Sequence, residues 1–122
     1  MLPITSTVAA FAAIGLIALS VPVSLRRMAV KQPLGPGDDP ALLRRIRAQG
    51  NFTEYVPIVL ILLALAEYRG VPQGFVFAIA GPLVIGRVAH AVGMLGGIMP
   101  LRRMGMMATF VSLLAGVAAQ FV

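Results

Sequence analysis

Apolar residues dominate the chain from Leu2 to Leu25, broken by Thr5, Ser6, Thr7, Ser20, Pro22 and Ser24. A run of that length crosses about 30 Å of hydrocarbon, which predicts a first membrane helix over about residues 2–25. No positive n-region precedes it, so a retained helix is favoured over a signal peptide. Arg26, Arg27 and Lys31 close the run, and the Pro/Gly-rich segment from Gln32 to Pro40 reads as a loop. Asp39 followed by Pro40 has the form of an N-cap and first helical residue. A second helix over about residues 40–68 would be about 43 Å long and overshoot the hydrocarbon, leaving Arg44 and Arg45 in the headgroup layer. Pro57 predicts a kink and a carbonyl freed near Thr53. Glu67 to Gly74 forms a turn, and a third helix over about 74–95 carries a bend at Gly81-Pro82. After the turn from Gly96 to Arg103, a fourth helix over about 101–121 has no charge beyond Arg103. The pattern predicts an all-α membrane protein, a four-helix transmembrane bundle in one domain, 1–122.

The second helix breaks the apolar pattern in a regular way. At about 100° per residue, Arg44, Arg47, Asn51, Glu54 and Tyr55 fall within one arc. The periodic residues are polar on an apolar background. Such a face turns toward protein, water or a polar ligand, because a charge near the bilayer centre costs ~2.5–3.5 kcal/mol even on mild insertion scales. On the third helix Arg87 and His90 share a face three residues apart, and Met94 continues it. Small residues on the first helix (Ala9, Ala12, Ala13, Gly15) would let another helix approach.

Composition agrees with the membrane reading. The chain is 59% hydrophobic and 11% charged, with a mean hydropathy of +0.95; a soluble domain carries about a quarter charged residues. The net charge of +6 does not describe a nucleic-acid protein, because the bases are interspersed with apolar runs. With no cysteine, any thiol chemistry needs the thiol to arrive on a substrate. One histidine and four acids leave no usual multi-ligand metal site. Arg26, Arg27, Lys31, Arg44, Arg45, Arg47, Arg87, Arg102 and Arg103 fall on one side of a four-span topology and Arg69 alone on the other. The positive-inside rule then makes the basic side cytoplasmic and places both termini outside.

Arginine pairs bidentately with carboxylates, Glu54 can receive an ammonium, and Asn51 can donate and accept. That make-up suits a zwitterionic small molecule with surplus negative charge, beside a lipid-filled groove. The run Arg47-Ala48-Gln49-x-Asn51-x-x-Glu54-Tyr55-x-Pro57 resembles the second-helix signature of the MAPEG family, the membrane-associated proteins of eicosanoid and glutathione metabolism. Arg87-Val88-Ala89-His90 resembles that family's third-helix motif, as found in its prostaglandin E synthase branch. The resemblance covers the whole chain in length, span order and loop placement.

The resemblance implies a microsomal glutathione transferase-like homotrimer in a bacterial inner membrane, binding glutathione between subunits near the cytoplasmic face. By position Arg47, Asn51, Glu54 and Tyr55 would contact glutathione, with Arg26 or Arg27 adding carboxylate contacts and Arg87 and His90 lining the same pocket. Arg102 aligns, across one deletion and next to Arg103, with the arginine that stabilises the thiolate. The implied activity is a glutathione-dependent transferase or peroxidase, joining that thiolate to a lipophilic electrophile. Met94 departs from the pattern, since several family enzymes carry an aromatic hydroxyl there.

Plainer readings stand beside these. The polar arc could be an interhelical network, with Glu54 and Arg47 as a structural pair. Arg87 could snorkel and His90 could be a hydrogen-bonded packing residue. Tyr68 and Arg69 read as interface anchors, Lys31, Arg45 and Arg103 as orientation charges, and the methionines as soft packing. A non-catalytic lipid-binding or scaffold member of the family is the main alternative function. A four-span cation transporter ranks lower, because the first span has no acid and arginines surround the acid of the second.

Overall fold

A computed structural model describes the whole chain, Met1 to Val122. It contains four helices: α1 (Pro3–Val30), α2 (Pro40–Tyr68), α3 (Gln73–Gly96) and α4 (Met99–Ala119). Each is long and apolar enough to cross a membrane. Pro22, Pro57 and Pro82 lie inside helices without ending them.

Two boundaries differ from expectation. The first helix runs to Val30 instead of stopping near residue 25, ending where Lys31 turns left-handed at φ 56°. Arg26 and Arg27 end the apolar run, but arginine, methionine and alanine are good helix formers and carry the backbone on. The fourth helix starts at Met99, with Pro100 in its first turn where a missing N–H costs nothing.

Helix α2 touches all three others, whereas α1 and α4 do not meet. Leu63 and Val59 of α2 and Ile79 of α3 are fully buried between them. In lipid, apolar burial supplies little drive between helices, so close approach and hydrogen bonds hold the bundle. At the α3–α4 seam, a Cβ on Gly86 would come within 2.9 Å of both the Ala108 Cβ and the Gly105 carbonyl oxygen. The Ser112 hydroxyl donates to the Ile79 carbonyl across that seam, and Gln120 Nε2 donates to the Leu62 carbonyl at 3.2 Å.

Side chains fasten both ends of the bundle. At the end remote from the arginine-rich loops, the Glu67 carboxylate accepts from the backbone N–H groups of Ile4 (2.9 Å) and Thr5 (2.8 Å), placing a negative charge at the positive end of α1. Arg69 donates to the carbonyls of Gln120 (2.7 Å) and Val122 (3.1 Å), so it stops the last turn of α4 and is more than an interface anchor. At the basic end Asp39 accepts from Leu42 N–H as the N-cap of α2 and takes a bidentate pair from Arg26, both bonds at 2.8 Å. Arg45 donates to the Pro22 carbonyl (3.0 Å) and Gln49 to the Ser20 hydroxyl (3.0 Å), so Arg45 ties α2 to α1 as well as carrying charge.

The Arg26 guanidinium, followed by the Leu42 N–H, holds the Asp39 carboxyl down from 3.8 to about 2. A depressed carboxyl stabilises the fold above its unfolded pKa and loses that contribution as pH falls through the folded value. The Asp39 contribution is therefore expected intact above about pH 4 and gone near pH 2. Asp39→Asn should flatten that segment of a stability-against-pH curve, measured by thermal unfolding between pH 2 and pH 5.

Candidate functional site

The polar arc of α2 is split by its surroundings. Asn51 is buried, and its side-chain carbonyl oxygen has no partner within the subunit. Tyr55 is half-buried, its ring edge-on to Phe110 of α4 with centroids 5.9 Å apart. Arg44, Arg47 and Glu54 are exposed on the outer surface of the subunit. The Glu54–Arg47 pair of the plainer reading does not form, and the chain's one salt bridge joins Arg26 to Asp39.

Arg87 on α3 is only 7% exposed, and its guanidinium lies over the Phe52 ring of α2 at 5.9 Å from the centroid. One terminal nitrogen reaches the Thr109 hydroxyl of α4 and the other reaches His90 Nδ1, each at 3.4 Å, and Nε has no partner. Thr109 donates its own proton to the Gly105 carbonyl at 2.8 Å, which leaves its oxygen free to accept. An accepting Nδ1 places the His90 ring proton on Nε2. Arg87 is thus buried rather than snorkelling, and no carboxylate lies within salt-bridge distance of it.

Arg47 near the start of α2 and Arg102 near the start of α4 stand toward the same, basic end of the bundle as His90. The backbone of Arg102, in the first turns of α4, lies directly against Gly93 of α3, a contact that sets its position beside His90. Its guanidinium reaches only the Met99 sulfur, at 3.7 Å. Asn51, Arg87 and His90 therefore lie buried in the basic half of the bundle, Tyr55 and Arg102 half-buried, and Arg47 and Glu54 on its surface, a set with surplus positive charge. Such an arrangement can take an anion bidentately and stabilise negative charge as it develops. Nowhere do three metal-ligating side chains come together.

Arg26 and Arg27 are engaged elsewhere. Arg26 is committed to Asp39, and Arg27 donates to the Gln32 and Gly35 carbonyls of the first loop. Within the subunit both arginines shape the α1–α2 connection. Two members of the site went unread in the sequence. Phe52 carries the Arg87 stack, and Thr109 is a fully buried hydroxyl facing it. The signal for Thr109 was its pairing with Ser112 three residues on, two hydroxyls on one face of an otherwise apolar helix. Phe52 gave no signal beyond its place beside Asn51.

The MAPEG family model matches residues 4–122. The chain is also similar to inner membrane protein YecN of Escherichia coli K12, 32% identical over 116 residues that cover 95% of this chain and 88% of that protein. YecN of Escherichia coli O6:H1 matches with the same identity and coverage. Four membrane-length helices and a family match over nearly the whole length leave one assignment: the chain is an integral membrane protein belonging to the MAPEG family.

Proposed function

We propose that the chain is a membrane-bound glutathione-dependent transferase that joins a glutathione thiolate to a lipophilic electrophile. The observation that carries this reading is the exposed Arg47 and Glu54 on one face of the membrane-length helix α2, at the end of the bundle that also holds Arg87, His90 and Arg102, with no anion among them but Glu54. In hydrocarbon such a face needs a polar partner. A second copy of the chain covering it, in a homotrimer, would enclose a site with the charge balance of glutathione. The carboxylates of the tripeptide would meet Arg47 and its neighbours, and its ammonium would meet Glu54. The YecN relatives are named as inner membrane proteins, which supports an inner-membrane placement here; the excess of arginine at one end favours that end as the cytoplasmic one, with both termini outside.

In this mechanism the Arg102 guanidinium lies beside the sulfur and lowers the thiol pKa, so that the thiol releases its proton and the thiolate accumulates at neutral pH. The sulfur lone pair forms the new bond to carbon, and the displaced group leaves with the electron pair of the bond it breaks. Arg47, Asn51 and Glu54 act by holding the tripeptide in place. A non-catalytic, lipid-binding member remains the second reading. The observation in its favour is Met94, a buried thioether where several family enzymes carry a hydroxyl.

Titration of the purified protein with glutathione, followed by thiolate absorbance in the ultraviolet and by conjugation to a chloro-dinitrobenzene, tests the proposal. Wild type is expected to form thiolate and turn over, and Arg102→Ala to lose the thiolate signal and about 100-fold in rate. Thiolate formation unchanged in Arg102→Ala would remove that residue from its role. Binding without turnover would select the non-catalytic reading, and no binding at millimolar glutathione would end the transferase reading and leave the lipid-binding one.

A further inference from the structure

With no cysteine in the chain, all of its sulfur lies in seven methionines. Their surroundings differ. Met94 is buried inside the bundle, whereas Met28 (76% exposed) and Met99 (48% exposed) stand open near the end of α1 and at the first residue of α4, both at the basic end. Met99 has one further property. Its sulfur accepts from Arg102 Nη1 at 3.7 Å, and no other hydrogen bond engages that guanidinium. The two residues lie three apart on one face of the first turn of α4. Their backbone is fixed, since Arg102 N–H donates to the Ile98 carbonyl at 3.1 Å and the Arg102 main chain packs on Gly93. Any change in the strength of the contact is therefore taken up by the two side chains alone.

A thioether is a weak acceptor, so the guanidinium is held lightly. Oxidation of the sulfur reverses that. A sulfur lone pair attacks one oxygen of hydrogen peroxide, and the O–O bond breaks with its electron pair on the departing hydroxide. The proton of the transferred oxygen passes to that hydroxide and gives water, so sulfur loses two electrons and peroxide gains them. The product, methionine sulfoxide, is polar and is returned to the thioether by reductases. Its oxygen projects from a sulfur already in contact with Nη1, and a bond from a guanidinium to such an oxygen is charge-assisted and about twice as strong as a neutral one. We propose that Met99 is a peroxide-sensitive modification site whose sulfoxide takes hold of the Arg102 guanidinium and withholds it from any other anion. The capture of Arg102 stands by itself; its consequence for a thiolate rests on the role proposed for Arg102 above.

The test treats the full chain with hydrogen peroxide in nanodiscs of saturated phosphatidylcholine, its arginines labelled with nitrogen-15. Peptide mass spectrometry is expected to find sulfoxide at Met99 and Met28 while Met94 stays reduced. One guanidinium resonance, the one missing from Arg102→Lys, should shift on oxidation and return after methionine sulfoxide reductase. In Met99→Leu that resonance should stay in place under peroxide although Met28 still reacts. Met99→Gln, whose side-chain carbonyl stands in for the sulfoxide oxygen, should show the shift with no peroxide added. With glutathione present, oxidation should cut thiolate absorbance about tenfold in wild type, the weight of a hydrogen bond to a charged group, and leave Met99→Leu unchanged. A Met99 that stays reduced while Met28 oxidises would overturn the proposal. So would an Arg102 resonance that keeps its position once Met99 is oxidised, or thiolate that persists in full after the resonance has moved. Absence of thiolate in the untreated protein would count against the transferase reading instead, and the mass and resonance readouts, which need no glutathione, would still decide the fate of Met99.

Discussion

A chain carrying Gly105→Val is expected to lose its folded bundle, or to melt at least about 5 °C below wild type in detergent. A Cβ at Gly105 would come within 2.6 Å of the Gly86 carbonyl oxygen and 2.7 Å of the His90 Cα. Both are backbone atoms of α3, so no side chain can swing aside and the helices themselves must part. Overpacking of this sort costs about 1–3 kcal/mol where side chains can yield, and more where backbone must move. Gly93 is as constrained from the opposite direction, since its added carbon would meet the Arg102 Cα at 2.8 Å. Parting α3 from α4 would also break the Thr109 contact to Arg87 and carry Arg102 away from His90, so stability and site would fall together. Gly74→Ala, with nothing within 4 Å of the new carbon, should melt with wild type and serves as the control. Thermal unfolding of the three proteins, monitored by size-exclusion after heating, separates the seam from a general intolerance of larger residues.

The glycines of this seam show what the sequence kept hidden. Helix existence was legible because four apolar runs of membrane length are separated by Pro/Gly turns, and Asp39-Pro40 announced the start of α2 by local chemistry alone. The apolar pattern ends α1 early because hydropathy and helix propensity part company at Arg26 and Arg27. Arg45 reads as an orientation charge and Arg69 as an interface anchor because their acceptors, the Pro22 and Gln120 carbonyls, lie far off in the chain and no local spacing prints them. The polar arc of α2 was visible as a period of 3.6. What the period could not show is which members face inward, since that depends on where α3 and α4 lie. Asn51 and Tyr55 turned toward the bundle, while Arg47 and Glu54 turned out.

That division makes the second large effect predictable. Under the proposed transferase function, Glu54→Gln and Arg47→Ala are each expected to weaken glutathione binding by about 10- to 100-fold, the equivalent of a hydrogen bond to a charged group at about 1.5–3 kcal/mol. Neither should change the melting temperature of the single subunit, because neither residue has an intramolecular partner to lose. The alternative for an exposed charged pair at membrane depth is a purely structural bond between copies. Deleting one member of such a buried pair leaves the other uncompensated at a cost of about 3–5 kcal/mol, so the assembly itself would fall apart. Native mass spectrometry of both variants, alongside calorimetric titration with glutathione, distinguishes the two roles. An intact oligomer with weakened binding is the expected pattern, and a dissociated oligomer in either variant would make that residue part of the mortar between subunits. The charge-neutral Glu54→Gln is the sharper probe, because it keeps the shape and hydrogen-bonding reach of the side chain and removes only the charge that an ammonium would need.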